Sequence, residues 1–205
     1  GSIAKHIKQK DSVHVAILAE GITSRNNNQE NQQLTELKDS AQKAHAILGT
    51  TSLYLHNFPD NKMDSLPRLE VIKKVEELIK KHNPEIVYTH HSGDVNIDHR
   101  ILHEAVITAC RPTPENNVKQ ILFFEIASST EWQTPYSAPA FIPNWFTDIS
   151  ETLNLKLKAL KEYNSEMREF PHARSIKAIE HLAAWRGATI GVHAAEAFML
   201  GRKIN

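Results

Sequence analysis

From Ser2 to Ala127 the chain alternates apolar, β-branched runs with amphipathic runs of helical period, and that alternation decides what it can fold into. Ser2–Gln9 carries Ile3, Ala4 and Ile7 on one helical face, with Lys5 and Lys8 off it. Val13–Ala19 is nearly all apolar and reads as a strand buried on both faces. A helix follows from about Gln29 to Leu48, with Leu34, Leu37, Ala41, Ala44, Ile47 and Leu48 on its apolar face and Gly49 as its stop. Ser52–His56 is a short strand closed by a Phe58-Pro59-Asp60 turn. Leu66–Lys81 is a helix with Leu69, Ile72, Val75, Leu78 and Ile79 inward, ended by Asn83-Pro84. Glu85–Tyr88, a helix over Ile101–Cys110 and the strand Gln120–Ala127 continue the pattern. Such a series predicts an α/β fold, Rossmann-like, with a mostly parallel sheet flanked by helices and right-handed crossovers.

The pattern loosens after residue 128. Ser128–Pro143 is rich in Ser, Thr and Pro and reads as irregular. Trp145–Ile149 is expected as a strand, and Leu153–Asn164 and Ser175–Trp185 as helices. Ala194–Leu200 fits either a closing strand or a helix end. With no repeats and no convincing linker, residues 1–205 are expected to form a single domain. The chain opens on a helix, whereas the first strand of a doubly wound sheet normally lies beside the switch point. Either another segment fills that place, or the first strand is missing because the sequence begins partway into a longer natural chain; Gly1-Ser2 also fits a cloning scar.

The chemistry concentrates in Tyr88–Arg100, Y-T-H-H-S-G-D-V-N-I-D-H-R, between a strand and a helix. The carboxyl end of a strand is where an open α/β sheet places its ligand. A metal or acid–base site is one reading, and a solvated loop with Asp98 as helix N-cap is the plain alternative. His99 is the first metal candidate. His103 lies one turn on, but Arg100 stands where a zinc protease motif has its glutamate. His90 and His91 point to opposite sides of an extended chain, so at most one faces the site. Asp94 after Gly93 fits a turn equally well. Loops at other strand ends hold Arg25, a candidate substrate contact or a surface cation, and Trp132, which either stacks on a sugar or packs.

Composition narrows the classes. Twenty-four basic residues balance 24 acidic ones, which argues against a nucleic-acid binder. No apolar run approaches a membrane span. A lone Cys110, read as a small core residue, suits a reducing, cytoplasmic setting. Twelve histidines favour metal or proton chemistry. Glycine-rich phosphate loops and the G-x-S-x-G elbow are absent.

G-S-I-A-K-H-I at the start, A-E-G-I-T-S-R at 19–25, F-P-D at 58–60, T-H-H-S-G-D-V-N-I-D-H-R at 89–100 and A-E-A-F at 195–198 together resemble the PIG-L/LmbE-like N-deacetylases. The resemblance implies a domain that binds zinc, or another divalent metal, and removes acetyl from an N-acetylated sugar or sugar conjugate. Such proteins hold the metal with a His and an Asp from an early P-H-P-D-D motif and a later histidine, which corresponds to His99. That motif is absent here, so these 205 residues alone are expected to bind zinc weakly and to turn over little. Many members have a histidine three positions before the metal histidine; here Asn96 stands there, able to donate a hydrogen bond to an oxyanion but not to transfer a proton.

The resulting expectation is a metal-dependent hydrolase of an N-acetyl amide acting on a small-molecule sugar or sugar conjugate. His99 is the metal ligand, Asp98 an orienting or capping group, and Asn96 an oxyanion donor. Arg25 and His91 are candidate substrate contacts, and His91 or another histidine is the stand-in if a proton donor is needed. Self-association is permitted but not required. The rival is a non-catalytic α/β binding module that keeps the fold and pocket without a complete metal site.

Overall fold

A computed structural model of the chain describes residues 1–21 and 30–205. Its helices are α1 (Ser2–Lys8), α2 (Glu30–Leu48), α3 (Arg68–His82), α4 (Ile97–Ala109), α5 (Leu153–Lys161) and α6 (Ile176–Ile190). Its strands are β1 (His14–Glu20), β2 (Ser52–Pro59), β3 (Ile86–His90), β4 (Gln120–Phe124), β5 (Trp145–Asp148) and β6 (Ala195–Lys203). They pair as a two-stranded sheet, β1-β2, and a four-stranded sheet in the order β3-β4-β6-β5. The β1–β2 and β3–β4 pairs are parallel, as the alternation requires, and β6 returns antiparallel to β4. Ala195–Lys203 is thus the strand of the two readings open for it.

The chain divides into two compact units, Gly1–Asp60 with Phe146–Glu196, and Asn61–Trp145 with Ala197–Asn205. In the first, β1 runs beside β2 from His14 opposite Ser52 to Glu20 opposite Pro59, with a register shift between Ile17 and Ala19. Helix α2 packs on α5, and α5 on α6. Ile149, Ala183 and Ala194 form a buried cluster against which Leu153 packs. Gly49, at φ 74°, ends α2 in a left-handed turn where only glycine is unstrained. The expectation that β1 is buried on both faces needs correcting: Leu18 is buried, but Ile17 is 36% exposed. Among the described residues β1 pairs with β2 alone, so it is an edge rather than a central strand.

In the second unit β3 and β4 run in register from Ile86 opposite Gln120 to His90 opposite Phe124. Helix α3 packs on α4, and α4 on β3. Val71, Ile72 and Val75 of α3, Ala105 and Val106 of α4, and Ile121 and Leu122 of β4 are buried. Leu69, expected inward, is 60% exposed. It lies in the first turn, outside the i, i+4 series 71, 75, 79 that carries the apolar face. Because β3 and β4 are parallel and in register, the segments after His90 and after Phe124 leave from the same end of the sheet.

Candidate functional site

Asn96, rather than Asp98, caps α4. Its side-chain oxygen accepts from the backbone N–H of Asp98 at 2.8 Å and of His99 at 3.4 Å. Its amide nitrogen donates to Oδ1 of Asn61 at 3.0 Å. Asp98 sits in the first turn of the helix, two residues after the cap, and is buried. Its two oxygens accept the backbone N–H groups of Asn61, at 2.6 Å, and Met63, at 2.9 Å. A carboxylate in the first turn of a helix is favoured by the helix dipole, and here it also fastens the 3-10 turn Met63–Ser65. So both residues singled out beside His99 build the loop before they do anything else.

His99 is 20% exposed in its side chain. Two neighbours define its ring. The His90 imidazole stacks on it with centroids 4.1 Å apart and planes at 17°. Its Nδ1 lies 3.1 Å from Oδ1 of Asp94, which has no exposed side-chain surface. Asp94 also accepts from the backbone N–H of Asn96 at 2.9 Å, from the Ser129 hydroxyl, and from the Thr130 hydroxyl at 2.7 Å. Burial alone would raise the Asp94 carboxyl, but the bonds from His99, Ser129, Asn96 and Thr130 outweigh it and hold it well below the usual carboxylate range. The carboxylate is therefore ionised at neutral pH.

The other histidines are packed. Burial, and then the charge His99 would carry, push His90 down to about 3, so its ring is neutral. Burial likewise lowers His103, whose Nδ1 meets the carbonyl of His90 at 2.9 Å, which makes that nitrogen the donor. His91 is buried, with Nε2 on the carbonyl of Pro139 at 2.8 Å and its ring edge-on to Phe141. Gly93 permits this approach: a Cβ there would meet Pro139 O at 1.9 Å and His91 Nε2 at 2.7 Å. The opposite-sides expectation for His90 and His91 holds, with His90 against His99 and His91 turned to the 139–141 segment. Arg25 lies outside the described residues.

His99 has the chemistry of one ligand to a divalent metal: its Nδ1 faces a buried carboxylate, the usual support of a metal-binding imidazole that coordinates through its other nitrogen. Among the described residues no group of three His, Cys, Asp or Glu side chains is gathered as a complete metal-holding set. The contribution of Asp94, Ser129 and Thr130 was not read from the sequence. Its one available signal was the hydroxyl-rich S-S-T at 128–130, placed just beyond the β4 strand, at the same end as the polar stretch after β3.

Parallel strands and flanking helices define a Rossmann-like α/β fold, and its polar cluster lies at the strand ends, where such folds place a ligand. Residues 1–110 match the family described as GlcNAc-PI de-N-acetylase (PIG-L), and the chain belongs to that family. It is 32% identical over 133 residues to an uncharacterized deacetylase of Escherichia coli K12, YaiS, a match that covers 62% of this chain and 64% of that protein. Among solved structures it resembles an N,N'-diacetylchitobiose deacetylase from Pyrococcus horikoshii at TM-score 0.76 and 18% identity, covering 98% of this chain and 77% of that one. It resembles GalB, a 4-carboxy-2-hydroxymuconate hydratase of Pseudomonas putida KT2440, at TM-score 0.77 and 18% identity, covering all of this chain and 90% of that one. At such identities the likeness is one of fold, and this fold carries more than one chemistry.

Proposed function

We propose that the protein is a metal-dependent hydrolase that removes an N-acetyl group from an N-acetylated sugar or sugar conjugate, and that His99 is one of its metal ligands. The observation that carries this reading is the His99 imidazole, pinned by a buried carboxylate on one edge and stacked on His90, in a chain of the PIG-L family. Zinc or a similar ion, when bound, would lower the pKa of a water and polarise the amide carbonyl. This chain's own part is to orient. Asp94 holds His99, Asp98 holds the Asn61–Met63 turn, and Asn96 holds the start of α4. The Asn96 amide has one N–H on Asn61 and a second for a substrate oxyanion. Arg25 remains a candidate for substrate contact, His91 would reach one only by leaving the Pro139 carbonyl, and a single buried Cys110 supports a reducing, cytoplasmic setting. No helix among the described residues is long and apolar enough to cross a membrane.

One observation favours a second reading, a non-catalytic binding module: Asn96 cannot transfer a proton and spends its oxygen on the helix cap. Amine release from N-acetylglucosamine conjugates by the full-length protein, with and without zinc, separates the two. Release that His99→Ala lowers by at least about a hundredfold supports the hydrolase. Release at the wild-type rate in that variant sinks the assignment of His99, and sugar binding without release favours the module.

A further inference from the structure

Two of the donors to Asp94 have a fixed direction. The backbone N–H of Asn96 can only donate. The Thr130 hydroxyl accepts from the backbone N–H of Ile126 at 2.7 Å, and its proton then points to Oδ2 of Asp94 at 2.7 Å. The Ser129 hydroxyl adds a third donor, on Oδ1. Asp94 is thus an acceptor on both oxygens, with its carbonyl further held by Nη1 of Arg100 at 3.2 Å. A ring nitrogen 3.1 Å from such an oxygen carries the proton, because a lone pair there would face the lone pairs of the carboxylate. Neutral imidazole has one N–H, so the lone pair is left on Nε2. The stack on His90 fixes the plane of the ring, and Asp94 fixes its edge.

Resting on the reading of His99 as a ligand, we propose that Asp94 is a positioning residue that sets the Nδ1–H tautomer of His99 and aims Nε2, and that Thr130 fixes Asp94 through the segment after β4. The loop that follows the neighbouring strand thereby becomes part of the support of His99, although neither Ser129 nor Thr130 need touch a metal or a substrate. The tautomer is assigned from the hydrogen-bond network, so it is directly open to measurement.

Long-range proton–nitrogen NMR of the protein at about pH 8, where an unperturbed imidazole is neutral, reads the His99 tautomer without any metal. The expected result is a proton on Nδ1, replaced by a mixture in Asp94→Asn, whose amide can turn either end to the ring. Zinc affinity by calorimetry should fall about tenfold to a hundredfold in Asp94→Asn and by less in Thr130→Val, which keeps the shape and removes the donor. A wild-type proton on Nε2 overturns the proposal, as does an Asp94→Asn protein with unchanged tautomer and unchanged zinc affinity. If Asp94→Asn does not fold, the wild-type spectrum and Thr130→Val decide. An Nδ1–H ring together with a zinc affinity that His99→Ala leaves untouched supports the positioning by Asp94 and overturns only the ligand role.

Discussion

The Asn96 side chain turns its oxygen on the backbone of α4 and its nitrogen on Asn61, so one amide joins two segments 35 residues apart in sequence. Removing it should cost what an N-cap costs. Asn96→Ala is expected to lower stability by about 1 kcal/mol, and Asn96→Ser, which restores the cap, to recover most of that. Urea denaturation of both variants checks it, and equal midpoints for Ala and wild type would refute the cap. The position of His99 in a dense polar stretch at a strand end was legible in the sequence. The support of His99 was not. Asp94 looked like a turn residue, since the hydroxyls that make it an anchor come from 35 and 36 residues further on.

At the scale of the element, periodicity identified each helix of the described α/β part, and the structure moves most boundaries by only a residue or two. What periodicity could not supply was partners. The two-face burial of β1 was inferred from composition, but burial depends on how many strands flank it, and β1 has one among the described residues. Strand β6 was ambiguous because A-E-A-F-M-L satisfies neither period cleanly. Its register against β4, with a shift between Ile121 and Leu122, is a tertiary fact. Strand β4 is the element on which the second unit most depends, since it pairs with β3 on one side and β6 on the other. Leu122 in its middle is fully buried. Leu122→Ala is therefore expected to destabilise the protein by about 2–5 kcal/mol through lost burial and the cavity left behind. A loss below about 1 kcal/mol in thermal or urea unfolding would mean that the site collapses freely, contrary to the close packing described.

For the molecule as a whole, the acid limb of stability should be dominated by carboxylates that the fold holds ionised. Glu196 accepts the backbone N–H of Ser2 at 2.6 Å and pairs with Lys156 at 2.7 Å, with 21% of its side chain exposed. Burial would raise its carboxyl, but Lys156 and the bond from Ser2 outweigh burial and hold it well below the usual range. A group whose folded pKa is depressed contributes stability that is fully present above its unfolded pKa, about 4.3 for Glu, and is lost as pH falls from there toward the folded value. Wild type is thus expected to lose stability steeply below about pH 4.5, and Glu196→Gln to show a shallower acid limb. The variant should also be weaker by about 2 kcal/mol at pH 7, because a charge-assisted bond becomes a neutral one beside an unpaired Lys156. Denaturation midpoints by circular dichroism at pH 7 and at about pH 3.5 separate these effects. Parallel losses in variant and wild type between those two pH values would show that Glu196 is not held ionised, and that the acid sensitivity belongs to Asp94 and its donors instead.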